Sequence, residues 1–282
     1  MYRLSIGFAL LVTLVMAQNS SYDDSIRQWQ NERDSRLRAE DSWLTLAGLF
    51  WLKPGDNTIG SADSNDFVLP KDAPANVGRL HYEGDSVIFT AADGSSRALT
   101  YNEEKPDTVQ AGSVSFYLIK RSGKPGIRAK DAESPVRKNF QGLKYFPINS
   151  EFRFEAKFIP EVKKIPILNV LGQTDLEESP GIVEFTYKGQ QYRLRPIYED
   201  QTLFFLFKDP TNKTETYQAG RMLNTPLPVD SKVDLDFNRS YNPPCTFTPY
   251  ATCPLPPKEN TLPFPVEAGE KRYGKGHADY SL

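Results

Sequence analysis

The chain has 282 residues, of which 39% are hydrophobic, 25% charged and 12% aromatic, the make-up of a water-soluble globular protein and not of a disordered, collagenous or disulfide-dense one. Lysine and arginine together number 34 against 36 aspartate and glutamate, a net charge of -2, so no global positive field exists to hold nucleic acid regardless of its sequence. With two histidines and two cysteines, a histidine-rich metal centre and a multi-bridge scaffold are both excluded.

Residues 1–17 carry one cation, Arg3, then an apolar run from Leu4 to Val15, and end on Val15-Met16-Ala17, the pattern of a secretory leader cleaved before Gln18. The run is shorter than the roughly 20 residues that span a bilayer, and no later segment approaches that length. The expectation is a secreted or periplasmic protein with no transmembrane segment after cleavage. Three glycosylation sequons begin at Asn19, Asn212 and Asn238, a pattern that occurs often by chance.

Residues 23–40 read as a helix: Asp23, Asp24 and Ser25 offer capping oxygens, and Ile26, Trp29, Arg33 and Leu37 share one stripe. An apolar run over 42–52 follows, closed by a turn at 53–57. Short strand-like segments then recur at 79–82, 87–91, 97–101, 114–121, 152–159, 183–187, 192–197, 203–208 and 233–237. Between Phe152 and Phe158 apolar and charged residues alternate, as on a strand with one wet face, whereas residues 203–207 are apolar on both faces, as in a central strand covered from both sides. Asp93-Gly94 and Lys188-Gly189 read as hairpin turns. From Tyr241 onward proline thickens and periodicity vanishes, so the tail is expected to wrap a surface in extended or turn conformation. The predicted fold is mostly β, an antiparallel sandwich or barrel-like body with an N-terminal helix. It is divided near residue 145 into a module over 18–145 and a second over 146–282, or is one continuous body.

Several segments carry a resemblance. Trp43-Leu44-Thr45-Leu46-Ala47-Gly48-Leu49-Phe50-Trp51-Leu52, Gly126-Ile127-Arg128-Ala129-Lys130-Asp131, Ala219-Gly220-Arg221 and the tail from Asp236-Phe237-Asn238 through Tyr241-Asn242-Pro243-Pro244-Cys245 to Cys253-Pro254-Leu255-Pro256-Pro257 resemble bacterial members of the domain-of-unknown-function family 1684. That family brings no established reaction. Residues 55–90 are also similar to the forkhead-associated phosphopeptide-binding sandwich, through Thr58-Ile59-Gly60-Ser61, Asn65-Asp66-Phe67-Val68-Leu69, Gly84 and Val87. Where that module has an arginine after Ile-Gly, this chain has Ser61, so the resemblance implies a similar fold with phosphothreonine recognition lost.

The chemistry-bearing residues divide into few sets. Cys245 and Cys253, in an exported chain with six prolines nearby, are expected to form one local disulfide; a redox or metal pair is the sharper alternative, against which stand the spacing and the absence of a nearby histidine. His81 reads as an ordinary strand residue and His277 as part of a polar end, and neither G-x-S-x-G nor a Gly-rich phosphate loop is present. Asp234, Asp236 and Asn238 share one side of a strand, a solvated face or a weak cation site, but Arg239 and Cys245 stand where an EF-hand needs glycine and glutamate. Glu199, Asp200 and Asp209 bracket the buried strand and offer carboxylates for acid and base work on a glycoside. Between Ile119 and Lys144 eight cations face two acids, a local surplus of six positive charges in a net acidic protein. Arg128 and Arg137 are expected on turns there, and Arg221 beside Gly220 is a third cation, whose structural alternative is an ion pair with a carboxylate such as Glu270.

The function these residues point to is binding of a small anionic or carbohydrate-like ligand in a hollow between the two halves. Arg128, Arg137 and Arg221 would supply charge, and Tyr241, Asn242 and Asn260 hydrogen bonds and a stacking face, with no cofactor and no metal. A glycan hydrolase and a structural envelope protein are the alternatives.

Overall fold

The computed structural model describes residues 5–274, with side chains from Ser21 onward. Of the leader expected over 1–17, residues 1–4 lie outside the described residues and only the backbone course of the rest is described; His277 also lies outside. A single helix, α1 (Ser5–Arg38), runs through the expected capping site at 23–25 without interruption. Its predicted stripe is the one that packs: Ile26 and Leu37 are buried, Trp29 is half-buried, and Arg33 is buried with its guanidinium on Glu270 at 2.8 Å. No helix among the described residues is long and apolar enough to cross a membrane.

Sixteen strands follow: β1 (Leu46–Trp51), β2 (Gly55–Gly60), β3 (Phe67–Val68), β4 (Gly78–Glu83), β5 (Ser86–Ala91), β6 (Ser96–Leu99), β7 (Thr108–Ala111), β8 (Val114–Arg121), β9 (Lys124–Asp131), β10 (Arg153–Leu168), β11 (Thr174–Tyr187), β12 (Gln190–Leu194), β13 (Ile197–Glu199), β14 (Thr202–Phe207), β15 (Arg221–Pro226) and β16 (Lys232–Asp236). One short helix, α2 (Pro135–Lys138), interrupts them. Among the described residues every ladder apart from the parallel β2–β3 pair is antiparallel, and no sheet closes into a barrel.

In the N-terminal half the sheets β1-β9-β8-β7 and β3-β2-β4-β5-β6 face each other over one core. Phe89 of β5 meets Phe116 of β8 edge-on, ring centres 5.6 Å apart, across that interface. In the C-terminal half β12-β11-β10-β16 packs on β13-β14-β15, and the phenylalanines expected on one face of β10 turn inward. β14 has two dry faces, as its sequence requires. Leu203, Phe205 and Phe207 enter the large core, while Phe204 and Leu206 join Ile165, Ile167, Ile197 and Met222 in a smaller one. The tail holds 3₁₀ turns and isolated bridges, with Leu262, Val266 and Ala268 plugged into the large core.

Two expectations are corrected here. Cys245 and Cys253 are not joined: both are buried free thiols, with the Cys245 amide donating to Cys253 Sγ at 3.1 Å. The loop is closed instead by the 3₁₀ turn Pro244–Thr246 and by the bridge of Pro254 to Asn169. Arg128 lies on no turn. It sits in the middle of β9, where the period of two sends Ile127, Ala129 and Asp131 into the body and Arg128 and Lys130 to the opposite face.

Candidate functional site

That opposite face of β9 forms one wall of a cleft of about 910 Å³ between the two halves of the chain. β9 runs between β1 and β8, so Arg128 is backed by Leu49 on one side and Tyr117 on the other. Strand register therefore aligns a cationic wall of Arg128, Lys130, Lys120 and Arg121 with the Tyr117 ring among them. The facing wall comes from the far halves of β10 and β11, carrying Ile167, Asp175 and Glu177, and from the β13–β14 hairpin, carrying Glu199 and Asp200. Both turn residues of that hairpin, Asp200 and Gln201, have left-handed backbone (φ 47° and 58°), the geometry of a two-residue turn that matches strand twist. It presents Glu199 and Asp200 on the cleft's edge. The floor is apolar, made by Phe204, Met222, Leu46 and the rings of Tyr241 and Trp43.

The charges on the two walls are differently satisfied. Arg121 is paired with Glu103 at 3.0 Å and Lys120 loosely with Asp85 at 3.7 Å. Arg128 has no carboxylate within ion-pair distance among the described residues; its Nη2 donates to Thr252 Oγ1 at 3.2 Å, and its Nε is sealed from solvent with no partner. Loss of hydration pushes its guanidinium below the ordinary arginine value. Lys130 donates to the Asp41 carbonyl at 2.7 Å and lies 5.7 Å from the centre of the Tyr117 ring, and burial lowers it as well. On the opposite wall, burial raises Glu177, with Asp175 adding to the effect, and Glu199 is pushed up to about 6 by burial and by Asp200, Glu177 and Glu103. The cleft thus holds two cations without an ion-pair partner among the described residues, Arg128 and Lys130, on one side and two carboxyl groups shifted upward, Glu177 and Glu199, on the other.

Of the residues singled out from sequence, Arg128 and Tyr241 line this cleft, Tyr241 through its ring and through a bond from its hydroxyl to Asn224 Oδ1 at 2.5 Å. The others lie elsewhere. Arg137 on α2 donates to the carbonyls of Ala132 and Arg38, both at 2.9 Å, tying that helix to the end of α1. Arg221 is fully buried, paired with Asp209 at 2.9 Å and donating to the carbonyls of Ala268 and Val266, so it anchors the tail. Its carboxylate is Asp209 and not Glu270, which is taken by Arg33. The close approach permitted by Gly220 is made by the Phe207 carbonyl and the Pro256 ring. Asn242 is buried, its amide bonding Glu270 at 2.7 Å and its Nδ2 the Lys271 carbonyl. Asn260 clamps the Arg195 backbone from both sides and reaches the Leu206 carbonyl, a staple between tail and sheet.

Glu199 and Asp200 lie on the cleft while Asp209 is in the core. Asp234 is held by Arg153 and Asp236 by the Tyr22 hydroxyl, and among the described residues no group of three or more metal-ligating side chains converges. His81 is an exposed strand residue on Asp56 at 2.6 Å. Sequence reasoning missed Glu177, Asn224, Thr252 and Tyr117 as cleft residues. For Tyr117 a signal existed, since alternation within 114–121 places it on the face opposite Val114, Phe116 and Leu118.

The profile of the family described as "Protein of unknown function (DUF1684)" matches residues 138–271. A solution NMR structure of an uncharacterized protein from Haloarcula marismortui is 30% identical, over 48% of this chain and 78% of that chain, with a TM-score of 0.40. The chain belongs to the DUF1684 family. The DUF1684 match covers the carboxyl wall, Asn224 and Tyr241 but begins after β8 and β9, so Arg128 and Lys130 lie outside it, as do the matching segments expected at 43–52 and 126–131. No curated protein matches this DUF1684 chain.

Proposed function

We propose that the cleft binds a small hydroxylated anion of the sugar-acid kind, its carboxylate on Arg128 and Lys130 and its hydroxyls on Glu177, Glu199 and Asn224. The observation that carries this reading is the Arg128 guanidinium, which lines the cleft with no carboxylate within ion-pair distance among the described residues. A simple anion would be repelled by the opposite wall, so the ligand needs hydrogen-bond donors at its other end, and the ring of Tyr117 suits the face of a sugar. The fork of a guanidinium matches a carboxylate in two parallel bonds. The encounter takes place after export, as residues 1–17 imply, so N-terminal sequencing of the native protein should read from Gln18.

Calorimetric titration with galacturonate, glucuronate, glycine and inorganic phosphate tests the reading. Galacturonate or glucuronate should bind, and Arg128→Met should weaken binding by about tenfold or more. Binding of none of the sugar acids, or affinity unchanged in Arg128→Met, defeats it, and selective binding of glycine would reassign the cleft to amino acids.

Hydrolysis of a glycoside in the same cleft is a second reading, favoured by Glu199, whose pKa of about 6 suits a general acid. Its test is release of reducing ends from digalacturonate at pH 5 to 6, abolished in Glu199→Gln.

A further inference from the structure

A second chamber, of about 480 Å³, opens beside the cleft under the last turns of α1. The two hollows share five lining residues, Asp41, Trp43, Asp200, Asn224 and Tyr241, so these residues form the rim between them. That rim is rigid. The Arg33 guanidinium lies 4.8 Å from the Trp43 ring centre and 4.9 Å from that of Tyr241, and it is itself fixed by Glu270 at 2.8 Å and the Asn242 carbonyl at 3.1 Å. Asn224 is pinned between the Tyr241 hydroxyl and Thr202 Oγ1, at 2.5 and 3.0 Å. The outer side of the chamber is the Trp29 ring, steadied edge-on against Tyr145 at 6.3 Å, and its mouth carries Arg36 and Arg239.

Resting on the sugar-acid reading of the cleft, we infer that this chamber is a second subsite, and that the ligand is an acidic oligosaccharide of at least two units crossing the Tyr241–Asn224 rim. The chemistry repeats that of the first hollow. Aromatic faces (Trp29, Trp43) stand beside hydroxyl and amide groups (Thr202, Asn224) and the guanidinium groups of exposed Arg36 and half-buried Arg239. Arg36 has no ion-pair partner among the described residues, and Arg239 reaches Asp236 only at 3.8 Å. A single sugar acid held on Arg128 and Lys130 leaves the second chamber empty, so a linked second acidic unit adds contacts without displacing the first.

The experiment compares galacturonate with digalacturonate by calorimetry on the wild type, Arg36→Ala, Trp29→Ala and Arg128→Met. The wild type should bind the dimer about tenfold more tightly than the monomer. Arg36→Ala and Trp29→Ala should remove most of that gain while leaving monomer affinity unchanged, and Arg128→Met should weaken both. Trp29 is half-buried, so the exposed Arg36 serves as the variant that does not disturb folding. If monomer and dimer bind the wild type equally, or if neither Arg36→Ala nor Trp29→Ala reduces the gain, the second subsite is refuted while the first stands. If the monomer itself does not bind, the cleft reading falls and this inference falls with it.

Discussion

Replacement of Arg221 by alanine separates a structural cation from a ligand-binding one. Both Arg221 and Asp209 have fully buried side chains, 2.9 Å apart, and Asp209 also accepts amide bonds from Thr211 and Val266. Removing the guanidinium leaves a carboxylate in the core without its charge partner, a change that costs about 3–5 kcal/mol. The carbonyls of Ala268 and Val266 lose their donors at the same time, at about 1–3 kcal/mol for each one that water cannot reach, and these terms do not simply add. Total stability of a domain is about 5–15 kcal/mol, so Arg221→Ala should lower the urea midpoint severely, read by tryptophan fluorescence. Arg221→Lys keeps a charge near Asp209 but cannot bond both carbonyls, and should fall between the two. Sugar-acid affinity per folded molecule, measured in the cold, should be unchanged in either variant. An Arg221→Ala protein within about 1 kcal/mol of wild type that has lost that affinity would refute this reading and return Arg221 to the binding site.

Three further outcomes are expected. The folded pKa of Glu199, about 6, lies above its ordinary value of 4.5, so its ionisation opposes both folding and anion binding, and that penalty disappears as pH falls through 6 toward 4.5. Because Glu199 is solvent-accessible the effect is screened. Galacturonate affinity should tighten only a few-fold from pH 7.5 to 5, and Glu199→Gln should flatten the step; an unchanged slope in that variant would contradict the assignment. Burial and the neighbouring Cys245 thiol hold Cys253 well above an ordinary thiol, so neither cysteine should react with iodoacetamide in the folded protein, whereas both should be alkylated in urea without reductant. A mass 2 Da short of the dithiol form, with no alkylation in urea, would instead reveal a disulfide. Gly220→Ala would place a methyl 2.5 Å from Pro256 Cγ and 2.7 Å from the Phe207 carbonyl at φ +111°, and should cost about 2 kcal/mol or more by thermal unfolding; an unchanged melting temperature would show that the tail is not clamped there.

The sequence reveals elements wherever alternation is undisturbed. β8, β14 and the near half of β10 follow directly from their period of two or from their doubly apolar faces. It conceals them where proline intervenes: Pro160, Pro166 and Pro180 break the pattern of β10 and β11, and the chain absorbs the disturbance with an irregular register between Pro160 and Lys163. Asp175 and Glu177 of the acidic wall stand on those far halves. Pro125 and Gly126 likewise disguise β9 as a turn, although Ile127, Ala129 and Asp131 alternate with Arg128 and Lys130. The roles of Arg221, Asn242 and Asn260 depend on partners brought together by tertiary folding, such as Val266 and Ala268 for Arg221, Lys271 for Asn242 and Arg195 for Asn260. No local pattern announces such pairs.

The Arg128 Nε–Hε resonance, followed by ¹⁵N-resolved NMR during titration with galacturonate, probes the central claim at the residue that carries it. It should shift with the same Kd as calorimetry reports, as a carboxylate arrives at the guanidinium to which it belongs. A resonance that stays fixed while other signals saturate would place the ligand elsewhere and contradict the account.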